Sequence, residues 1–369
     1  MNVIVLTSSR ADYGIYFPLL KKMRSDTFFN LKIIAFGTHL SEKYGSTINK
    51  ILEDGFEVEF QLETLMNRDS PEFVDRSMAL TINKFAEFWV AQKSKIDLVI
   101  CLGDRYEMFA AVSSSVPFNI LVAHLHGGET TLGAIDNVFR HSITAMSTIH
   151  FASTEKHAMR VKQIIGSDKN VFCVGAMSLD NLKDIKLLNI QEFKEKFNIE
   201  LKEPILFTFH PETVSYEKND IHINEIISVL ETLHRQIIIT MPNADTSGEI
   251  IRKRLLEFAN GKQNVVVVES LGIEGYFACL KHCAFVMGNS SSGIIEAASF
   301  GKYVLNLGNR QLGREVGTNV MHCSIEMDKM LEAIKRIDLQ PKLGVNNIYG
   351  DGKTADKIIS ILKQIKLKE

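Results

Sequence analysis

Aspartate, histidine and arginine gather at four points along the chain, three of them beside a short apolar run. Gly103-Asp104-Arg105 follows the run that ends at Leu102, and His124-Leu125-His126-Gly127-Gly128-Glu129 follows the run through Ala123. His210-Pro211 closes the run 205–209, and Asp136, Arg140 and His141 fall at i, i+4 and i+5 of an amphipathic stretch. Carboxylates, imidazoles and guanidinium groups without thiol or metal-ligand spacing suit proton transfer on an anionic substrate. Asp136 and Arg140 share a helix face, where an exposed structural ion pair worth ~0.3–0.5 kcal/mol is the alternative. One such cluster is easily structural. Four of them, three directly at strand ends, are less easily dismissed.

A fifth stretch has the composition of a phosphate site. Met287-Gly288-Asn289-Ser290-Ser291-Ser292-Gly293 follows an apolar run and leads into a helical pattern over 294–300. Hydroxyls and backbone N–H groups at such a helix start face an anion, although an N-cap and tight turn use the same residues. It is neither a GxxxxGK[ST] loop nor a GxGxxG fingerprint. The loop Thr7-Ser8-Ser9-Arg10-Ala11-Asp12-Tyr13-Gly14 also follows a strand and supplies an arginine.

The elements that must position these groups alternate from end to end. Runs 3–6, 32–36, 97–102, 120–124 and 171–174 read as strands, and helical patterns lie between several of them. The runs are continuously apolar, as parallel strands covered on both faces are. Residues 182–204 read as helix plus linker. A second series follows at 205–209, 236–240, 265–269, 285–287 and 303–307, with Thr246 and Glu249 as a capping box for the helix toward Leu256. Tandem βα series imply an α/β chain of two Rossmann-like domains with ligands at the carboxyl ends of the strands. The length of 369 residues agrees. The expected divisions are 1–180, joined by an amphipathic C-terminal helix 354–369, and 181–353.

Composition excludes several classes. The 42 basic and 44 acidic side chains leave a net charge of −2, without the positive surplus that coating nucleic acid or an anionic membrane requires. The five cysteines form no CxxC pair, so they read as reduced thiols of a cytosolic protein and imply no structural zinc. No run approaches ~18 uninterrupted apolar residues, and the N-terminus lacks the basic start of a signal peptide. The expected address is the cytoplasm.

The motifs resemble those of the hydrolysing UDP-N-acetylglucosamine 2-epimerases, the family that opens sialic acid biosynthesis. The matching elements are Ser9-Arg10-Ala11-Asp12-Tyr13, Gly103-Asp104-Arg105, His124-x-x-Gly127-Gly128-Glu129, Ala134-Ile135-Asp136 with Arg140-His141, and His210-Pro211. Met287-Gly288-Asn289-Ser290-Ser291, Asn306-Leu307-Gly308 with Arg310-Gln311 and Gly313-Arg314-Glu315, and Ile348-Tyr349-Gly350-Asp351-Gly352 continue the series. The resemblance implies two Rossmann-like domains facing across a cleft, as in GT-B glycosyltransferases, with UDP in that cleft. It implies a homo-oligomer, dimer or tetramer, and neither NAD nor an essential metal. In the family reaction a base removes the C2 proton as UDP leaves C1, giving a 2-acetamidoglucal. Water then adds at C1 while C2 is reprotonated on the opposite face.

By the same resemblance Asp104 and Asp136 are the carboxylates for proton transfer, and His210 is a further proton donor or a contact to the leaving diphosphate. Arg10, Arg105 and Arg310 match positions that hold UDP, and the Gly14 loop and Asn289 belong to the same binding set. Ser290 and Ser291 match the diphosphate site, Glu296 the ribose-binding carboxylate, and Arg140 the residue that orients Asp136. Sialic-type members carry a catalytic Glu where this chain has His126, so that role is expected at His126 or shared with Glu129. The paired aspartates of the family are Asp136-Asn137 here. Similar HGGE forms occur in enzymes of legionaminic acid synthesis, which makes UDP-2,4-diacetamido-2,4,6-trideoxyglucose the alternative to UDP-N-acetylglucosamine. Three other readings compete. A non-hydrolysing epimerase lacks the RADY and GxRQxGRE elements. A GT-B glycosyltransferase commonly carries a basic membrane-docking helix. A non-catalytic nucleotide-sugar binder has no use for Asp104, Asp136 and His210.

Overall fold

Aliphatic runs such as Val-Ile-Val-Leu and Leu-Val-Ile-Cys-Leu leave no polar face for water, so they must lie between covering layers. The computed structural model, which describes residues 1–66, 70–212, 214, 216–242 and 248–365, places them there. One sheet contains β1 (Asn2–Thr7), β2 (Asn30–Phe36), β3 (Val58–Leu62), β4 (Leu98–Leu102), β5 (Val122–Leu125), β6 (Ile149–Ala152) and β7 (Val171–Cys173). Its order is β3-β2-β1-β4-β5-β6-β7, with every pairing parallel. A second sheet contains β8 (Ile205–Thr208), β9 (Ile237–Thr240), β10 (Val265–Val268), β11 (Phe285–Gly288), β12 (Val304–Leu307) and β13 (Val320–Cys323). Its order is β10-β9-β8-β11-β12-β13, again parallel throughout. Both are doubly wound α/β sheets of the Rossmann type, with switch points between β1 and β4 and between β8 and β11.

Each sheet carries its own core. In the first, Val3, Val5, Ile100 and Phe151 pack on one face with the helix Arg10–Ser25 and with Ile358 and Leu362 of the helix Thr354–Gln364. Ile4, Leu6 and Val99 pack on the other face with Phe85, Phe88 and Trp89 of the helix Pro71–Gln92. The Trp89 indole N–H donates to Ser114 Oγ at 2.9 Å. The second core gathers Ile205, Phe207, Ile237, Ile239, Phe285 and Leu305 against Ile226, Leu255 and Ile334. Among the described residues no helix is long and apolar enough to cross a membrane.

Contacts divide the chain into Met1–Glu129, Asp136–Lys183 and Tyr349–Glu369 as one unit, and Thr130–Ile135 with Asp184–Ile348 as the other. Two features shift these limits from 1–180 and 181–353. Leu132 N–H donates to the Leu312 carbonyl at 2.9 Å, so residues 130–135 group with the second unit. At the C-terminal end the first unit already includes Tyr349, because Ala176 N–H donates to its carbonyl at 2.7 Å. β3, β6 and β13 were not apparent in the sequence. β3 and β13 are edge strands with partly exposed side chains, and β6 is four residues long with His150 inside it. The Thr246 capping box lies outside the described residues.

Asp180 ties the C-terminal helix to the first unit. Its carboxylate accepts from Thr354 N–H at 2.9 Å and Ala355 N–H at 2.7 Å, two donors that a helix start leaves without intrahelical partners. Asp180→Ala should lower unfolding stability by about 1–2 kcal/mol, the cost of a lost cap. A urea midpoint equal to wild type, followed by circular dichroism, would contradict this.

Candidate active site

At the first switch point, the loops after β1 and β4 carry the N-terminal and Gly-Asp-Arg motifs. Ser9 caps the helix Arg10–Ser25, and Asp12 completes a capping box. Asp12 Oδ2 accepts from Ser8 N–H at 2.8 Å, Ser8 Oγ at 2.7 Å and Ser9 N–H at 3.1 Å, while Oδ1 takes Ser9 Oγ at 2.7 Å. The aspartate of the motif therefore builds the loop, and Arg10 stands exposed at the helix start. Gly14 lies within that helix, its carbonyl accepting the Asn181 amide at 2.9 Å. After β4, Asp104 pairs with Arg140 from the helix Asp136–Met146. Arg140 is buried and the Asp104 side chain is a quarter exposed, so the carboxylate is held from within and open on its other side. Arg140, expected to orient Asp136, lies on the helix that Asp136 begins and forms an ion pair with Asp104. The Arg105 guanidinium grips buried Glu107 at 3.0 and 3.2 Å.

β5 brings two histidines to this edge, and both are committed to the protein. His124 Nε2–H donates to the Gly103 carbonyl at 2.8 Å, beside Asp104, and Nδ1 lies 3.1 Å from Thr144 Oγ1. Burial pushes its pKa down to about 3, so the ring is neutral. A Cβ on Gly127 would lie 3.0 Å from both His124 Nδ1 and Thr144 Oγ1, and one on Gly128 only 2.3 Å from the His157 carbonyl. The two glycines of the motif are thus places of close approach. His126 Nδ1 lies 3.0 Å from Glu129 Oε1, and Ser153 Oγ donates to the same oxygen at 2.7 Å.

In the second unit the loops after β8 and β11 are stitched by one side chain. Asn289 Oδ1 accepts from His210 N–H at 2.7 Å, and its amide donates to the His210 carbonyl at 2.8 Å. The Asn289 carbonyl takes Gln311 Nε2 at 2.9 Å and Arg310 Nη1 at 3.4 Å. Asn289 is fully buried and works as scaffold here. Gly288 has φ +134°, and a Cβ there would sit 1.8 Å from the Thr208 carbonyl oxygen, so only glycine fits. Ser290 caps the short helix Ser291–Ile295, and buried Glu296 ends it. Glu212 Oε1 accepts from Asn309 N–H at 2.6 Å and positions the Arg310 loop. That loop also meets Gly133, whose Cβ would lie 2.5 Å from the Asn309 carbonyl oxygen.

The structure brings together Asp104 with Arg140, His126 with Glu129, and His210 with Asn289 and Arg310. Sequence reasoning gave no role to Glu107, Ser153, Glu212 or Gln311, which hold these groups. Glu107 and Gln311 lie within two residues of Arg105 and Arg310, a proximity that was available as a signal. Ser153 and Glu212 are brought in from other loops.

The family described as UDP-N-acetylglucosamine 2-epimerase matches residues 21–363 of this chain. UDP-N,N'-diacetylbacillosamine 2-epimerase (hydrolyzing) of Legionella pneumophila is 34% identical over 99% of this chain and 96% of its own. Polysialic acid biosynthesis protein P7 of Escherichia coli is 34% identical over 90% of this chain and 85% of its own. The fold is similar to that of the UDP-GlcNAc 2-epimerase from Neisseria meningitidis, solved with UDP-GlcNAc bound. Their TM-score is 0.84 at 17% identity, covering 99% of this chain and all of that one.

His124 gives a stability test. Its folded pKa lies near 3, whereas an unfolded histidine titrates near 6.5, so between those values the unfolded chain binds the extra proton. Stability must then fall as pH drops below about 6.5, with this residue contributing a slope of about 1.4 kcal/mol per pH unit. His150, pushed down to about 4 by burial, adds a second contribution of the same sign. His124→Gln should flatten the acid limb of unfolding free energy against pH by one such slope; an unchanged limb would contradict the assignment.

Proposed function

This chain belongs to the UDP-N-acetylglucosamine 2-epimerase family, and from that premise we propose that it is a hydrolysing 2-epimerase of a UDP-linked 2-acetamido sugar. The observation that carries the reading is the Asp104–Arg140 ion pair, with Asp136 on the same helix as the arginine. Inverting C2 through elimination needs one group to take a proton from one face and another to return a proton on the opposite face. Two carboxylates, one of them held by a buried arginine, suit that division.

In the proposed reaction a carboxylate removes the C2 proton while the C1–O bond to UDP breaks, leaving a C1–C2 double bond. Water then supplies the hydroxyl at C1, and a second group delivers a proton to C2 on the opposite face. Sugar nucleotide and water thus become free 2-epimer and UDP, and the balance requires no oxidant. Asp104 and Asp136 are the proposed proton-transfer pair. Arg10, Arg310, Ser290, Ser291 and His210 would stabilise the departing diphosphate, where negative charge grows in the transition state. Glu296 would accept from the ribose hydroxyls. Arg105, whose guanidinium also holds Glu107, would meet UDP with its remaining N–H donors.

UDP-N,N'-diacetylbacillosamine is the first sugar to test, because the Legionella relative covers nearly all of both chains and is named for it. The family description favours UDP-N-acetylglucosamine as the second reading. Incubation with each, followed by NMR of the sugar and release of UDP, should show a free 2-epimer from one of them; no UDP release from either would sink the proposal. Asp104→Asn and Asp136→Asn should each lower kcat by about 10²–10⁴-fold, as loss of a general acid or base does, while UDP affinity stays within a few-fold. Arg310→Ala should weaken UDP binding by about 10–100-fold, the worth of a charged hydrogen bond. Normal affinity by calorimetry would remove Arg310 from the site.

A further inference from the structure

The end of β5 presents a histidine where the resemblance places a catalytic carboxylate, and its hydrogen bonds define what that ring can do. His126 Nε2 accepts from the Met177 N–H at 3.2 Å, so this nitrogen carries no proton. A neutral ring with a bare Nε2 is protonated at Nδ1. Nδ1 faces Glu129 Oε1 at 3.0 Å and therefore donates to it. Ser153 Oγ donates to the same oxygen at 2.7 Å, and the Ser153 oxygen lies 2.9 Å from His157 Nδ1. Glu129, Ser153 and His157 are more than nine-tenths buried, and the His126 side chain is 11% exposed. Both ring nitrogens of His126 are spent on the protein, and the donors converge on Glu129. The titratable groups that face the ring are Glu129 directly, His157 through Ser153, and neutral His124.

We propose that His126 is a positioning residue, held as the Nδ1–H tautomer between Met177 and Glu129, that locks the Glu129 carboxylate and exchanges no proton with substrate. The proposal deepens the functional reading above and rests on it for the reaction, leaving acid–base work to the carboxylates, the positioned Glu129 alongside Asp104 and Asp136. The backbone supplies a discriminating substitution. His126 has φ +64°, a left-handed conformation that asparagine tolerates best among side-chain-bearing residues. Asparagine also keeps an N–H donor near the Nδ1 position. Alanine keeps neither advantage.

The test has two arms. Long-range proton–nitrogen NMR of the full-length protein labelled with [15N]histidine, with the signal assigned by its loss in His126→Asn, should show a protonated Nδ1 and a bare Nε2 at neutral pH. A ring protonated at Nε2, or at both nitrogens, overturns the proposal. In the second arm UDP release is measured across pH. His126→Asn should keep kcat within about tenfold of wild type with both limbs of the pH profile intact, whereas His126→Ala should lose about 100-fold or more, in the range typical of a misplaced catalytic group. If His126→Asn folds, binds UDP and yet loses a limb of the profile or falls as far as the alanine variant, His126 is itself an acid or base and the proposal fails. Should the wild-type protein release no UDP from either sugar, the functional reading fails, and the NMR arm still decides the tautomer.

Discussion

Where a parallel sheet reverses its strand order, the connections leave two neighbouring strands toward opposite faces, and the ends of those strands stay uncovered. Each sheet of this protein has one such place. The first exposes the loops after β1 and β4, which carry Arg10 and Asp104; the second exposes the loops after β8 and β11, which carry His210 and Ser290. The strands can be almost wholly aliphatic because the polar chemistry is confined to these ends. A buried donor or acceptor left unpaired there costs about 1–3 kcal/mol, so the edge must be satisfied as well as reactive.

That requirement divides the polar residues into two kinds. Asp12, Asn289, Glu212 and Asp180 accept or donate several bonds each and fix loops or helix ends. His124 does the same beside Asp104 through the Gly103 carbonyl. Asp104 keeps an open side while Arg140 holds it from beneath. The groups proposed to react thus sit on a shell of spent ones, the arrangement preorganised catalysis requires.

Much of this was legible in the sequence. Interior strands announce themselves as apolar runs, and polar loops follow them directly, so the loops that carry Asp104, His210 and the serines were placed by type and position. Partner choice was not legible, because it is decided across loops distant in the chain. Spacing put Arg140 on the helix face of Asp136, and the fold brings to it Asp104, thirty-six residues away. Ser153 reaches Glu129 from the loop after β6, a strand whose four residues include a histidine. Edge strands β3 and β13 escaped notice because water on one side dilutes their apolar signal. Residues 130–135 look like a continuation of the first unit, and only their backbone bond to Leu312 reveals otherwise.

The central claim is that C2 is inverted by removal and return of a proton as UDP leaves. The most direct measurement is turnover of the sugar nucleotide in D2O, with mass and NMR analysis of the sugar released. The account predicts a free 2-epimer carrying one deuterium at C2, formed in step with UDP. A product that keeps its C2 protium, or an epimer still bound to UDP, would contradict it.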